Sequence, residues 1–158
     1  IKTTNPDNNI VVVSPDVGGV VRSRALAKQL NDADLAIIDK RRPEPGVSKV
    51  MHIIGDVKGK RCCIVDDIVD GGGTLVGASD ALLEAKAKSV DAVIVHGVFS
   101  KGAITRLEES SINTLYISNS IEQIKKLPEK IQVVDIDDLL AETIRRFCNG
   151  ESLKALVS

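Results

Sequence analysis

Aromatic side chains are almost missing from this chain, with no Trp, one Tyr and two Phe in 158 residues. Platforms that stack nucleobases are built from such rings, so composition argues against a nucleic-acid-binding surface. An excess of one charge is missing too, since 21 basic and 22 acidic side chains leave a formal charge of −1. That balance supplies no global field for a polyanion or a membrane surface. Cysteine is scarce, at three residues, and histidine scarcer, at two. Cys62 and Cys63 are adjacent in an apolar run, which suits neither a disulfide framework nor a structural zinc site. Free thiols in such a run belong to a reducing compartment, so a cytoplasmic protein is expected. No signal peptide or membrane-spanning run is read, the longest apolar stretches being strand-sized. The first residue is Ile1 rather than Met, so a piece of a longer protein is expected.

What is present is a regular alternation. Hydrophobic residues make up 43% and charged ones 27%, the composition of a globular domain. Six apolar, β-branched runs read as strands: 9–14, 35–39, 62–67, 91–99, 114–118 and 131–136. Runs this continuous are expected where both faces of a sheet are covered. Segments of helical period fall between them at about 20–30, 75–87, 101–110 and 137–148. Repeated β-α units predict an α/β fold, a parallel sheet with helices on both faces. The rhythm breaks at 40–60, where "KRRPEPGVSK" has two prolines, a glycine and four cations and predicts a long exposed loop. "VMHII" (50–54) after it predicts a short strand. Residues 1–9 form a lead-in or inter-domain segment, and 10–158 a single domain.

Ligands of open parallel sheets sit beyond the C-terminal strand ends. The most unusual such end is "VDDIVDGGGT" (65–74), where Asp66, Asp67 and Asp70 run into Gly71, Gly72, Gly73 and Thr74. Two nucleotide fingerprints are excluded. Val76 stands where a dinucleotide motif needs glycine, and "GDVKGKR" is one spacer short of a P-loop and lacks its Ser or Thr. What remains is a glycine turn before a helix, whose converging N–H groups form an anion site to which Thr74 can add a hydroxyl. The carboxylates can accept hydrogen bonds from sugar hydroxyls or hold a divalent metal. A sugar phosphate satisfies both halves, whereas the bland alternative is an acidic cap on a tight turn. His52 and His96 read as core or rim residues.

The string resembles the ribose-phosphate loop of the type I phosphoribosyltransferase fold. Together with "VVVSPDVGGVVRSRALA" (11–27), "IIDKRRPEPG" (37–46) and "MHIIGDVKGK" (51–60), it is similar to the C-terminal half of the ribose-phosphate pyrophosphokinase family. The resemblance implies transfer of the pyrophosphoryl group of ATP to ribose 5-phosphate, with Mg²⁺ as cofactor. It implies Asp16 as a metal ligand, Gly18 and Gly19 as the pyrophosphate loop, and Lys40 and Arg42 as catalytic cations. It assigns Asp66, Asp67, Asp70, Gly71, Gly72, Gly73 and Thr74 to ribose 5-phosphate. Phosphoryl transfer needs cations where charge spreads in the transition state, which suits "KRRP". Read alone, Asp16 is equally a helix-start carboxylate, and the cation run a solvated loop. The family commonly places Thr where this chain has Gly71, which removes one hydroxyl donor. The family's first domain, which grips the adenine and supplies subunit contacts of a homo-oligomer, is not among these residues. Two other readings stand beside this one: a nucleobase phosphoribosyltransferase, for which no base-binding hood is read, and a non-catalytic regulatory homologue.

Overall fold

The computed structural model describes residues 9–41, 50–124 and 126–156, and at residues 40, 41, 50 and 51 the backbone alone. Twelve elements follow one another among the described residues. They begin with β1 (Ile10–Ser14), α1 (Val20–Gln29), β2 (Asp34–Arg41), β3 (Val50–Ile54), β4 (Arg61–Val69) and α2 (Gly73–Glu84). β5 (Ser89–Gly97), α3 (Ala103–Glu108), β6 (Leu115–Ser118), β7 (Ile131–Val134), α4 (Asp137–Cys148) and a 3₁₀ turn (Lys154–Leu156) follow.

One seven-stranded sheet has the order β3-β2-β1-β4-β5-β6-β7. Every neighbouring pair is parallel except β2 and β3, which run antiparallel from Ile37↔Ile54 to Arg41↔Val50. The parallel sheet expected from the β-α rhythm is therefore correct with one antiparallel edge. The length of the connection explains the exception: eight residues separate Arg41 from Val50, fewer than the dozen or more that a parallel return needs. β2 also carries its backbone through Lys40 and Arg41, so the expected loop starts later than the composition of "KRRP" suggested.

Alternating side chains of the central strands feed two cores, as the two-residue period of a strand requires. Val11, Val13, Cys62 and Ile64 pack with Leu75, Ala78, Leu82 and Leu107 on the face that α2 and α3 cover. Val12, Cys63 and Val65 pack with Ala27 on the face of α1. Burial on both faces accounts for the near-continuous apolar runs.

The crossovers leave β1 and β4 in opposite directions across the sheet, one toward β2 and the other toward β5. Adjacent strands whose connections diverge open a crevice at their C-terminal ends. Their register, Ile10↔Arg61 to Val13↔Ile64, brings the residues after Ser14 beside Asp66.

Candidate active site

A cleft of about 740 Å³ opens at this divergence. Asp16, Asp66, Asp67, Asp70, Gly71, Gly72, Gly73 and Thr74 all line it. The structure thus brings together the two residues after β1, Pro15 and Asp16, and the whole acidic-glycine string. Gly18 and Gly19 do not line the cleft, though they lie in the turn that carries Asp16. Lys40 sits on β2 opposite Met51, with its backbone alone described, and Arg42 lies outside the described residues.

The first wall is rigid at its glycine. The Asp16 Oδ1 accepts a hydrogen bond from Gly19 N–H at 2.9 Å, which closes the turn into α1. A Cβ on Gly19 would lie 2.7 Å from Ser14 Oγ, and Ser14 is itself buried and donates to the Asp16 carbonyl at 2.7 Å. Only glycine fits there. Asp16 therefore has the helix-start role that its sequence also allowed, and its second carboxylate oxygen has no partner among the described residues. The Gly19 amide, being engaged by Asp16, is not an open donor.

The second wall differs from its sequence reading in one respect. β4, expected to end at Asp67, continues through Ile68↔His96 and Val69↔Gly97, so only 70–72 form the turn. Strand pairing fixes the two carboxylates more firmly than a loop would. The turn closes on Gly72, whose φ of +73° is a left-handed conformation that side-chain-bearing residues rarely adopt. A Cβ there would also meet Leu107 Cγ at 3.2 Å. From Gly73 onward the chain is helical, and α2 has no side-chain cap on its leading N–H groups. Those donors are the partial positive charge that an anion can meet.

Two arginines that sequence reasoning passed over complete the site. Arg22, on α1, holds Asp66 Oδ1 at 2.7 Å through Nη1 and Asp67 Oδ2 at 3.0 Å through Nη2. Arg106, on α3, lines the cleft and donates to the Gly71 carbonyl. A signal for Arg22 did exist, because two acids at the end of a buried strand need a nearby cation. Nothing local announces Arg106, which is 35 residues from Gly71.

Burial pushes the Asp66 carboxyl above its ordinary range, and the neighbouring Asp67 charge adds to this. Hydrogen bonds from Asp67 N–H and Arg22 oppose it. Side-chain exposures of 22% for Asp66 and 37% for Arg22 place the pair at the surface, where such bridges contribute on the order of 0–1 kcal/mol. A ligand hydroxyl can therefore enter the carboxylate pair at small cost. His52 and His96 are exposed rim residues, His96 Nδ1 lying 2.8 Å from Ser120 Oγ.

The arrangement is a crevice with hydroxyl acceptors on one side and uncapped amides on the other. The model of the phosphoribosyl synthetase-associated domain matches residues 22–158. This chain belongs to that family. Ribose-phosphate pyrophosphokinases of Hyphomonas neptunium and Brucella melitensis are 51% and 50% identical to it over 158 residues. In both cases the match covers 99% of this chain and 51% of the relative. The crystal structure of phosphoribosylpyrophosphate synthetase from Mycobacterium smegmatis superimposes with a TM-score of 0.80 at 38% identity. It covers 91% of this chain and 46% of that one. An adenine phosphoribosyltransferase, at TM-score 0.52 and 19% identity over 69% of this chain and 66% of that one, shares the fold alone. The synthetase-associated domain thus spans about half the length of the curated relatives it matches. The motif resemblance holds for family and for fold. Among the described residues of this domain no helix is long and apolar enough to cross a membrane.

Proposed function

We propose that this domain is the sugar-phosphate-binding half of a ribose-phosphate pyrophosphokinase, which moves the pyrophosphoryl group of ATP to ribose 5-phosphate and releases AMP. The observation that carries this reading is the single cleft shared by Asp66, Asp67, Asp70 and the turn at 71–74. The ribose hydroxyls donate to Asp66 and Asp67, whose carboxylates Arg22 holds in place. The phosphate meets the leading amides of α2 and the Thr74 hydroxyl, as phosphates do at helix N-termini. Asp70 closes the ribose-phosphate end, and Gly18 and Gly19 set the turn that brings Asp16 toward the pyrophosphate.

Mg²⁺ fits this donor set. No group of three or more His, Cys, Asp or Glu is poised to hold a metal among the described residues, so this domain offers isolated hard oxygens, Asp16 first. Mg²⁺ is commonly held in that manner, by one or two carboxylates together with phosphate oxygens and water. When bound, it would neutralise charge on the polyphosphate. Lys40 and Arg42 are proposed to stabilise the charge that spreads over the transferred group. The relatives are twice as long, so ATP is expected to be positioned with the help of residues outside this chain, and assembly into a homo-oligomer to involve them as well.

Calorimetric titration with ribose 5-phosphate tests the reading. This domain should bind it, and the double variant Asp66→Asn with Asp67→Asn should fold and lose most of the affinity. Wild-type affinity in the double variant, or no binding by the parent, would sink the assignment. A nucleobase phosphoribosyltransferase has no specific observation in its favour here.

A further inference from the structure

The phosphate half of the proposed ligand poses an electrostatic problem. From residue 62 to residue 85 the chain contains Asp66, Asp67, Asp70, Asp80 and Glu84 and no Lys or Arg. A phosphate ester carries about −1.5 to −2 charges near pH 7, and the helix N-terminus offers only about half a charge. Arg22 cannot make up the difference, because both of its terminal nitrogens are committed to Asp66 and Asp67.

Arg106 is placed to do so. It lines the same cleft and is exposed. Its Nη1 donates to the Gly71 carbonyl, and it forms no ion pair among the described residues. One contact leaves most of the five donors of its guanidinium unspent. Its backbone is held firmly by the residues that follow it. The neighbouring Leu107 is 2% exposed and packs where a side chain on Gly72 would be. Lys130 Nζ ties down the carbonyls of Leu107, Glu108 and Ser110 at 3.2, 3.1 and 2.8 Å. The contact with Gly71 also orients the turn. In a trans peptide the carbonyl and the following N–H point opposite ways, so holding the Gly71 carbonyl aims the Gly72 amide.

We infer that Arg106 is the cation of the phosphate subsite: its guanidinium binds the phosphate oxygens directly while steadying the Gly71 peptide. This rests on the sugar-phosphate reading above, and it supplies what a turn with Gly71 in place of a hydroxyl residue lacks.

The test is calorimetric titration of the parent, Arg106→Ala, Arg106→Lys and Arg106→Gln with ribose 5-phosphate and, separately, with inorganic phosphate. Arg106→Ala should lose roughly ten- to hundredfold in affinity for both ligands, as expected for a charged hydrogen-bonding partner. The thermal midpoint should stay put, because Arg106 is exposed. Arg106→Lys should recover part of the loss and Arg106→Gln should not. The loss should shrink from pH 7.5 to pH 5, where the phosphate sheds its second charge. Parent-like affinity in Arg106→Ala overturns the assignment and leaves the sugar-phosphate reading standing. Equal recovery by Gln and Lys overturns it as well, by showing a purely structural contact. A parent that binds inorganic phosphate but not ribose 5-phosphate overturns the sugar reading, and the phosphate titrations then decide Arg106 alone. A parent that binds neither overturns both.

Discussion

The helices α2 and α4 are both 12 residues long and are built on opposite principles. α4 is nearly self-sufficient. It has Asp137 and Asp138 in its first turn, Arg145 and Arg146 in its last, and both arginines bridge to Glu142. Its dipole is satisfied locally and its side chains brace one another. Yet none of its residues is buried, and Leu139, Leu140, Ile144 and Phe147 are 48–77% exposed. α2 has none of those aids: it begins at Gly73 behind a left-handed Gly72, lacks an acid in its first turn and a base in its last, and has no side-chain cap. It is held by Leu75, Ala78, Ser79 and Leu82, all buried. The helix that serves the cleft owes its place to the core, and its start can stay uncapped for a ligand. The helix that does not serve the cleft owes its form to its own sequence.

Thiol chemistry should divide the two regions most sharply. Burial pushes the Cys62 and Cys63 thiols, behind the site, up to about 11 and about 12. At pH 8 their thiolate fractions are then roughly 10⁻³ and 10⁻⁴, and the thiolate is the reactive form. Cys148, on α4, is exposed. Iodoacetamide followed by mass spectrometry should label Cys148 at least about a hundredfold faster than the pair. Comparable labelling of all three would break the contrast. The same shifts have a stability consequence. The folded state retains protons that the unfolded state releases above the ordinary thiol value of 9.0. The stability they contribute is complete below that value and is lost as pH rises through about 11 and 12.

Leu82→Ala, at a side chain with no exposure, should cost about 2–5 kcal/mol in urea denaturation. A cost under about 1 kcal/mol would mean that α2 does not depend on its buried face. Gly72→Ala should cost roughly 1–2 kcal/mol for the left-handed backbone alone. It should also weaken inorganic phosphate binding, since Leu107 stands in the way of the new methyl group. Gly73→Ala, with nothing within 4 Å of the added carbon, is the control that should keep stability. Smallest of all, Phe147→Ala should change stability by no more than about 0.5 kcal/mol, because Phe147 is 77% exposed in this chain. A loss comparable to Leu82→Ala would show that the apolar face of α4 is covered in solution.

Much of the site was legible because its signals are local. Three acids before three glycines impose both a carboxylate pair and a tight turn wherever the fold puts them. The strand limits were less legible. The strand read at 62–67 stops at Asp67, but β5 pairs with the backbone past it and carries β4 on to Val69. The antiparallel β3 was likewise invisible as a direction, since apolar alternation is the same whichever way a strand runs. Of the two expected catalytic cations, Lys40 is described by its backbone alone and Arg42 lies outside the described residues.

By itself the sequence determined the class of fold, the positions of the helices and strands to within a few residues, and the string that lines the cleft. Each of these depends on periodicity or on backbone chemistry within about ten residues, which a linear text displays. The tertiary structure alone decided which arginines face that string. Arg22 lies 44 residues from Asp66 and Arg106 lies 35 from Gly71. Their arrival follows from the sheet order, with β1 placed beside β4 and α3 laid against α2. Charge pairing across a crevice is a property of that packing, because electrostatic attraction at a few ångströms depends on distance in space and not along the chain.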